Sequence, residues 1–159
     1  MKKKIIILGA TGFIGKNLIE YFEKKKEFAI YGTYYKTKFI KSKNTKFIKC
    51  NLLSSIQVSK VLKNKDIVII AAATTSGAKD IIERPYIHVT DNAIMNSMIT
   101  RSAFDNHCKH VIFLSCTVMY HSSKNKIKES SWQIWLIKLK KIILKKVISI
   151  IYLKIKRLL

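Results

Sequence analysis

Lys4-Ile5-Ile6-Ile7-Leu8 runs directly into Gly9-Ala10-Thr11-Gly12-Phe13-Ile14-Gly15 at the start of the chain. The first five residues are a short β-branched run, the pattern of a strand buried on both faces of a parallel sheet. Three glycines at this spacing, followed by the amphipathic stretch from Phe13 to Lys25, predict a strand, a tight turn and a helix that together grip a pyrophosphate. Gly9 permits the turn, Gly12 lets the backbone approach the phosphates, and Gly15 lets the helix lie close against the strand. The helix N-terminus adds N–H donors and a positive dipole end. Thr11, Phe13 and Ile14 sit among the glycines and join them as candidate contact residues.

Outward from this unit, apolar runs alternate with amphipathic stretches. Phe13 to Lys25 has Phe13, Ile14, Leu18, Tyr21 and Phe22 at helical spacing. Phe28 to Tyr35 and Lys46 to Cys50 read as strands, and Ser55 to Lys63 as a short helix with Ile56, Ser59, Val61 and Leu62 on or near one face. Ile67 to Ala72 reads as a strand. Thr90 to His107 reads as a long helix with Asp91 in its first turn and Ile94, Met98, Ile99 and Phe104 as its buried side, and Val111 to Cys116 as a fifth strand. Strands alternating with helices predict a doubly wound parallel α/β sheet, a Rossmann fold, with right-handed crossovers placing helices on both faces.

Bulk properties narrow the function classes. In 159 residues, 48% hydrophobic and 10% aromatic content describes a globular chain. The net charge of +22 invites a nucleic-acid reading. Yet the only arginines are Arg84, Arg101 and Arg157, so the forked donors that read phosphate and bases are nearly absent. Lysine with abundant Ile and Asn is also what AT-rich codon bias produces, and no nucleic-acid partner is expected. Cys50, Cys108 and Cys116 form no CxxC pair and no metal-ligand spacing with the histidines, so no metal site is expected and a reducing cytoplasm fits. Lys2 to Lys4 and the apolar residues after them mimic a signal peptide, but the glycines break the run. Val147 to Leu153, a charge-free run near the C-terminus, is far short of the roughly 20 residues of a membrane span. A cytoplasmic protein without a membrane span is expected.

The end of the second strand discriminates between nicotinamide cofactors. An acid about 20 residues beyond the glycines would bond the adenosine ribose of NAD. Here Tyr31-Gly32-Thr33-Tyr34-Tyr35-Lys36-Thr37-Lys38 holds none, and no acid occurs between Glu27 and Asp66. Lys36 and Lys38 suit a 2′-phosphate, which favours NADP over NAD; the general abundance of lysine is the competing explanation.

These residues resemble the extended short-chain dehydrogenase/reductases, the NAD(P)-dependent epimerases, dehydratases and reductases of nucleotide sugars. The resemblance runs from Met1 to about Glu129 and is nearest in character to enzymes making GDP-sugars such as GDP-fucose. It implies that Asn51 and Leu52 stand where the family has Asp-Leu, with Asn51 meeting adenine through its amide. It implies further that Ala71, Ala72 and Ala73 lie against the cofactor. Pro85 followed by Asn92-Ala93 resembles the family's approach to its central helix, and Asn92 joins the cofactor-binding set. Phe113 to Tyr120 resembles the strand that ends at the catalytic hydroxyl, whose position falls on Cys116 with Thr117 beside it. A thiol is a poorer donor than a hydroxyl, so the site is weakened unless Thr117 takes over. Alternatively, Cys116 is simply a small buried residue.

The family also needs Tyr-x-x-x-Lys on the following helix, the lysine lowering the tyrosine pKa for proton exchange with the sugar. Tyr152 and Lys156 have this spacing, although in a lysine-rich tail it also arises by chance. After Glu129 the chain contains no acid, glycine or alanine. Residues 1–129 are therefore expected to form the NAD(P)-binding domain and residues 130–159 a basic tail foreign to the family, as a frameshift would produce. The family's substrate-binding portion is expected to be absent. A nucleotide sugar is the substrate the resemblance implies for the intact enzyme, and this chain alone is expected to be inactive. An apolar sheet edge left open would promote association with a partner or homo-oligomerisation. The alternative is a non-catalytic NADP(H)-binding regulator or partner-binding module. A basic membrane-surface or nucleic-acid binder acting through the tail ranks behind both.

Overall fold

Ile5, Ile6, Ile7 and Leu8 are all essentially inaccessible to solvent, because β1 (Lys3–Leu8) is the middle of five parallel strands. The computed structural model describes residues 2–37, 42–74, 82–115, 124–126 and 128. The chain divides into two units, Met1–Leu114 and Ser115–Leu159.

Around β1 stand β2 (Phe28–Tyr34), β3 (Thr45–Lys49), β4 (Ile67–Ile70) and β5 (His110–Phe113), in the order β3-β2-β1-β4-β5. Every neighbouring pair is parallel, with Ile5 opposite Ile30 on one side and Ile67 on the other. The crossovers carry α1 (Phe13–Glu23), α2 (Ser55–Leu62) and α3 (Pro85–Asp105). This is the doubly wound parallel sheet expected from the alternation of apolar runs. Alternate residues of β1 feed two cores. Ile5 and Ile7 pack with Ile19, Ile30 and Ile69, whereas Ile6 and Leu8 pack with Val58, Leu62, Met95 and Ile99. Strand order reverses between β1 and β4, which opens a crevice at the carboxyl ends of these strands.

The buried faces of the helices differ from the expected ones. In α1 the buried residues are Gly15 and Ile19, with Leu18 and Phe22 partly covered, while Phe13, Ile14 and Tyr21 are exposed. In α2, Val58 joins Val61 and Leu62 inside, and Ile56 is exposed. Helix α3 starts at Pro85 rather than Thr90, so Asp91 falls in its second turn. Ile99 is buried as expected, but its companions are Met95, Ser102 and Ala103, with Ile94 and Phe104 outside. The physical reason is shared. Small residues let a helix approach a sheet closely, and apolar residues surround α3 so fully that size cannot reveal the inward stripe. At the last strand, Val111, Ile112, Phe113 and Leu114 are all exposed on the outer edge of the sheet.

Candidate functional site

The carboxyl end of β1 turns at Gly9, whose φ of +81° is left-handed. A Cβ on Gly9 would lie 2.7 Å from Ala72 Cα, and one on Gly15 would lie 2.2 Å from Gly9 O. Both glycines are therefore required by the protein's own packing. Gly12 is different. Its φ of −74° suits any residue, and a Cβ there would meet only Gly9 O at 3.4 Å. Nothing among the described residues demands glycine at this position.

Gly12 is also the N-cap of α1, and no side chain caps that end. The first turn carries no acid, so the positive end of the helix dipole faces the loop without a counter-charge of its own. The turn is held from β2: Thr33 Oγ1 accepts from Gly9 N at 3.0 Å, and Thr33 O accepts from Ala10 N at 2.9 Å. Thr33 is buried, and nothing in the sequence near it marks this role.

These elements wall a cleft of about 900 Å³. Of the residues singled out from the sequence, Gly9, Thr11, Gly12, Phe13, Ile14, Lys36, Asn51, Leu52, Ala71, Ala72 and Ala73 all line it. Gly15 lies beneath the wall against Ala10. Asn92 is not part of the lining; it clamps the segment after β4, accepting from Thr74 N at 2.8 Å and donating to Thr74 O at 3.0 Å. Asn51 Oδ1 accepts from Leu53 N at 3.0 Å, so its carbonyl is committed to the local turn and Nδ2 is the group able to serve a ligand. Lys36 is exposed, its ammonium 6.0 Å from the Tyr35 ring centre. Cys50 lines the cleft with a buried thiol whose pKa burial pushes up to about 11. Lys38, Cys116, Thr117, Tyr152 and Lys156 lie outside the described residues. Among the described residues, no group of three acidic, His or Cys side chains is placed to hold a metal ion, and no helix is long and apolar enough to cross a membrane.

A glycine turn, an uncapped helix end and a cleft at the strand-order reversal are the parts of a dinucleotide site. The sequence profile of the family described as "NAD dependent epimerase/dehydratase family" matches residues 5–133. The chain belongs to this family. No curated protein matches it by sequence. Among solved structures, it is similar to the UDP-N-acetylglucosamine 4-epimerase from Methanobrevibacter ruminantium M1 in complex with UDP-N-acetylmuramic acid. That match has 22% identity and a TM-score of 0.68, covering 89% of this chain and 52% of that one. An epimerase from Methanothermobacter thermautotrophicus matches at 18% identity and a TM-score of 0.69, over 82% of this chain and 40% of that one. The enzyme WbmH from Bordetella bronchiseptica, in complex with NAD+, matches at 19% identity and a TM-score of 0.58, over 70% and 38%. The chain thus spans about half or less of the length of these neighbours, and at such identities the likeness concerns the fold.

Proposed function

We propose that this chain binds NADP(H), or more weakly NAD(H), as the cofactor-holding part of a nucleotide-sugar epimerase, dehydratase or reductase. The observation that carries the reading is Gly12, a glycine that neither backbone angle nor packing requires, at an uncapped helix end. Gly9, Thr11, Gly12 and the first turn of α1 would take the pyrophosphate, while Ala71 to Ala73 would bound the nicotinamide side. Asn51 Nδ2 and Leu52 would meet adenine, and Lys36 would meet a 2′-phosphate. When bound, the nicotinamide supplies the acceptor and donor of a hydride exchanged with a sugar carbon. Residues 1–129 form the cofactor domain in this reading. A reducing cytoplasm suits the reading and its free thiols.

Titration of the chain with NADPH and NADH, followed by nicotinamide fluorescence, tests this directly. Gly12→Ala should weaken binding at least about tenfold, a loss of about 1.4 kcal/mol, with only a small change in unfolding midpoint. Equal affinity in wild type and variant would remove the reading.

A second reading rests on a separate observation, the four exposed apolar residues Val111 to Leu114 at β5, the edge strand of the sheet among the described residues. Here the chain is a non-catalytic NADP(H)-binding module that pairs β5 with a strand of another polypeptide. Its charge of +22 disfavours a second copy and favours an acidic one. A stoichiometric complex that retains cofactor and is lost with Ile112→Lys would select this reading; homodimerisation is its rival outcome.

A further inference from the structure

At the amino ends of β1, β2 and β3, on the opposite edge of the sheet from the glycine turn, lies a second hollow of about 360 Å³. Lysines from three separate stretches of chain converge on it: Lys2 before β1, Lys25 and Lys26 after α1, and Lys46 on β3. Tyr31 and Glu23 complete the part of its wall that matters here.

The acids nearby offset only part of this charge: Glu23, itself in the wall, sets one carboxylate against four lysines. Glu23 accepts from Ser42 Oγ, from Thr45 Oγ1 at 2.8 Å and from Asn44 N at 3.1 Å. Burial acts to raise its pKa, but these three hydrogen bonds outweigh it and hold the carboxyl below its ordinary range. Asp66 is occupied by Lys4 N at 2.8 Å and by Lys109 Nζ at 3.0 Å. Next to the hollow, Lys65 Nζ sits 4.2 Å from the centre of the Tyr31 ring and donates to Lys63 O at 3.0 Å. Burial, with Lys4 and Lys46 close by, lowers the Lys65 pKa. Like charges thus crowd a concave surface, where their field adds and is focused.

We propose that this hollow binds a compact phosphate chain, a pyrophosphate or triphosphate group, either free or carried on a small molecule. Lysine ammoniums act on phosphate as compact, mobile point charges, and a phosphate chain concentrates several negative charges in the space that four converging ammoniums surround. The four lysines converge on one depression instead of forming the extended groove that tracks a nucleic-acid strand. Lys65 covers one face of the Tyr31 ring, which removes that face as a stacking surface for a base. The volume is well under half that of the dinucleotide cleft, so the hollow suits the phosphate chain rather than a second whole cofactor.

The test is calorimetric titration of the full chain with sodium tripolyphosphate, with NADPH present to occupy the cleft at the other edge. Binding should persist at about 0.15 M salt, weaken steeply as salt rises, and fall at least about tenfold in Lys26→Gln/Lys46→Gln. The charge-matched control Lys49→Gln/Lys60→Gln, at the carboxyl end of β3 and on α2, should leave it within about twofold. Amide resonances of Lys26, Asn44 and Lys46 should shift in the wild-type protein, a readout independent of any variant's folding. ATP binding as tightly as tripolyphosphate would identify the phosphate chain as the feature read, and ATP binding more tightly would identify a nucleotide as its carrier. Equal losses in both double variants would overturn the proposal, as would shifts confined to other amides. So would a single-stranded RNA that binds more tightly than tripolyphosphate and loses affinity equally in both variants.

Discussion

Gly9 and Ala72 approach so closely that a single methyl group on Gly9 would lie 2.7 Å from Ala72 Cα and 2.8 Å from Ala72 N. The contact joins the turn after β1 to the segment after β4 across the strand-order reversal, so it sets the width of the cleft there. Gly9 also holds φ at +81°. Gly9→Ala should therefore cost at least about 2 kcal/mol of stability, since the left-handed backbone alone costs about 1–3 kcal/mol and Ala72 must move as well. Urea unfolding of Gly9→Ala beside Gly12→Ala separates the roles: the first should lower the midpoint clearly, and the second should lose cofactor with the midpoint changed little.

The contrast between these two glycines marks what the sequence alone makes legible. An uninterrupted run of Ile before three spaced glycines reveals a strand, a turn and a helix, because the left-handed turn at Gly9 and the packing of Gly15 on Gly9 and Ala10 are local demands. Thr33 is illegible for the opposite reason: its bond to Gly9 N spans 24 positions and depends on β2 lying beside β1. Helix faces fail for a third reason. Ser102 and Ala103 are buried in α3 while Phe104 is exposed, so close approach of small residues outweighs side-chain hydrophobicity there. Asn92 was legible as important but not as a clamp on Thr74, since that pairing requires knowing where the loop after β4 returns.

In the proposed function Lys36 is the residue that would distinguish the two nicotinamide cofactors. It lines the cleft just after β2, where an acid would otherwise bond the ribose. Lys36→Glu should weaken NADPH about tenfold, an effect of about 1.4 kcal/mol, by setting a negative charge against the 2′-phosphate. NADH affinity should hold or rise. Parallel titrations give the ratio of the two dissociation constants, and an unchanged ratio would reject NADP preference at this residue.

Cys50 supplies a pH dependence. Its thiol stays protonated to about pH 11 in the folded protein, against an ordinary value of 9.0, because burial disfavours the thiolate. A folded pKa raised above the unfolded one means this contribution to stability is fully present below about 9 and is lost as pH rises towards 11. Unfolding midpoints measured from pH 8 to 11 should fall across that window, and Cys50→Ala should flatten the part of the fall that the thiol causes. At pH 8, iodoacetamide should modify Cys50 only when the protein is unfolded.

Asn92 tests whether a residue outside the lining governs what the cleft binds. Its side chain makes two bonds to the backbone of Thr74 and a third, from Nδ2 to His88 O at 2.6 Å. Ala71 to Ala73, the wall facing the proposed nicotinamide side, end at this clamp. Asn92→Ala should cost about 1–3 kcal/mol because Thr74 N and O lose their partner. Asn92→Asp keeps the acceptor for Thr74 N but sets a carboxylate against Thr74 O and His88 O, two acceptors, so it should fare no better than alanine. If Asn92 acts by holding the wall, hydrogen exchange at residues 72–74 should rise in both variants, and NADPH affinity should fall even at temperatures where each is fully folded. A stability loss with neither faster exchange nor weaker binding would show that α3 holds its own position through Asn92 and that the wall does not depend on it.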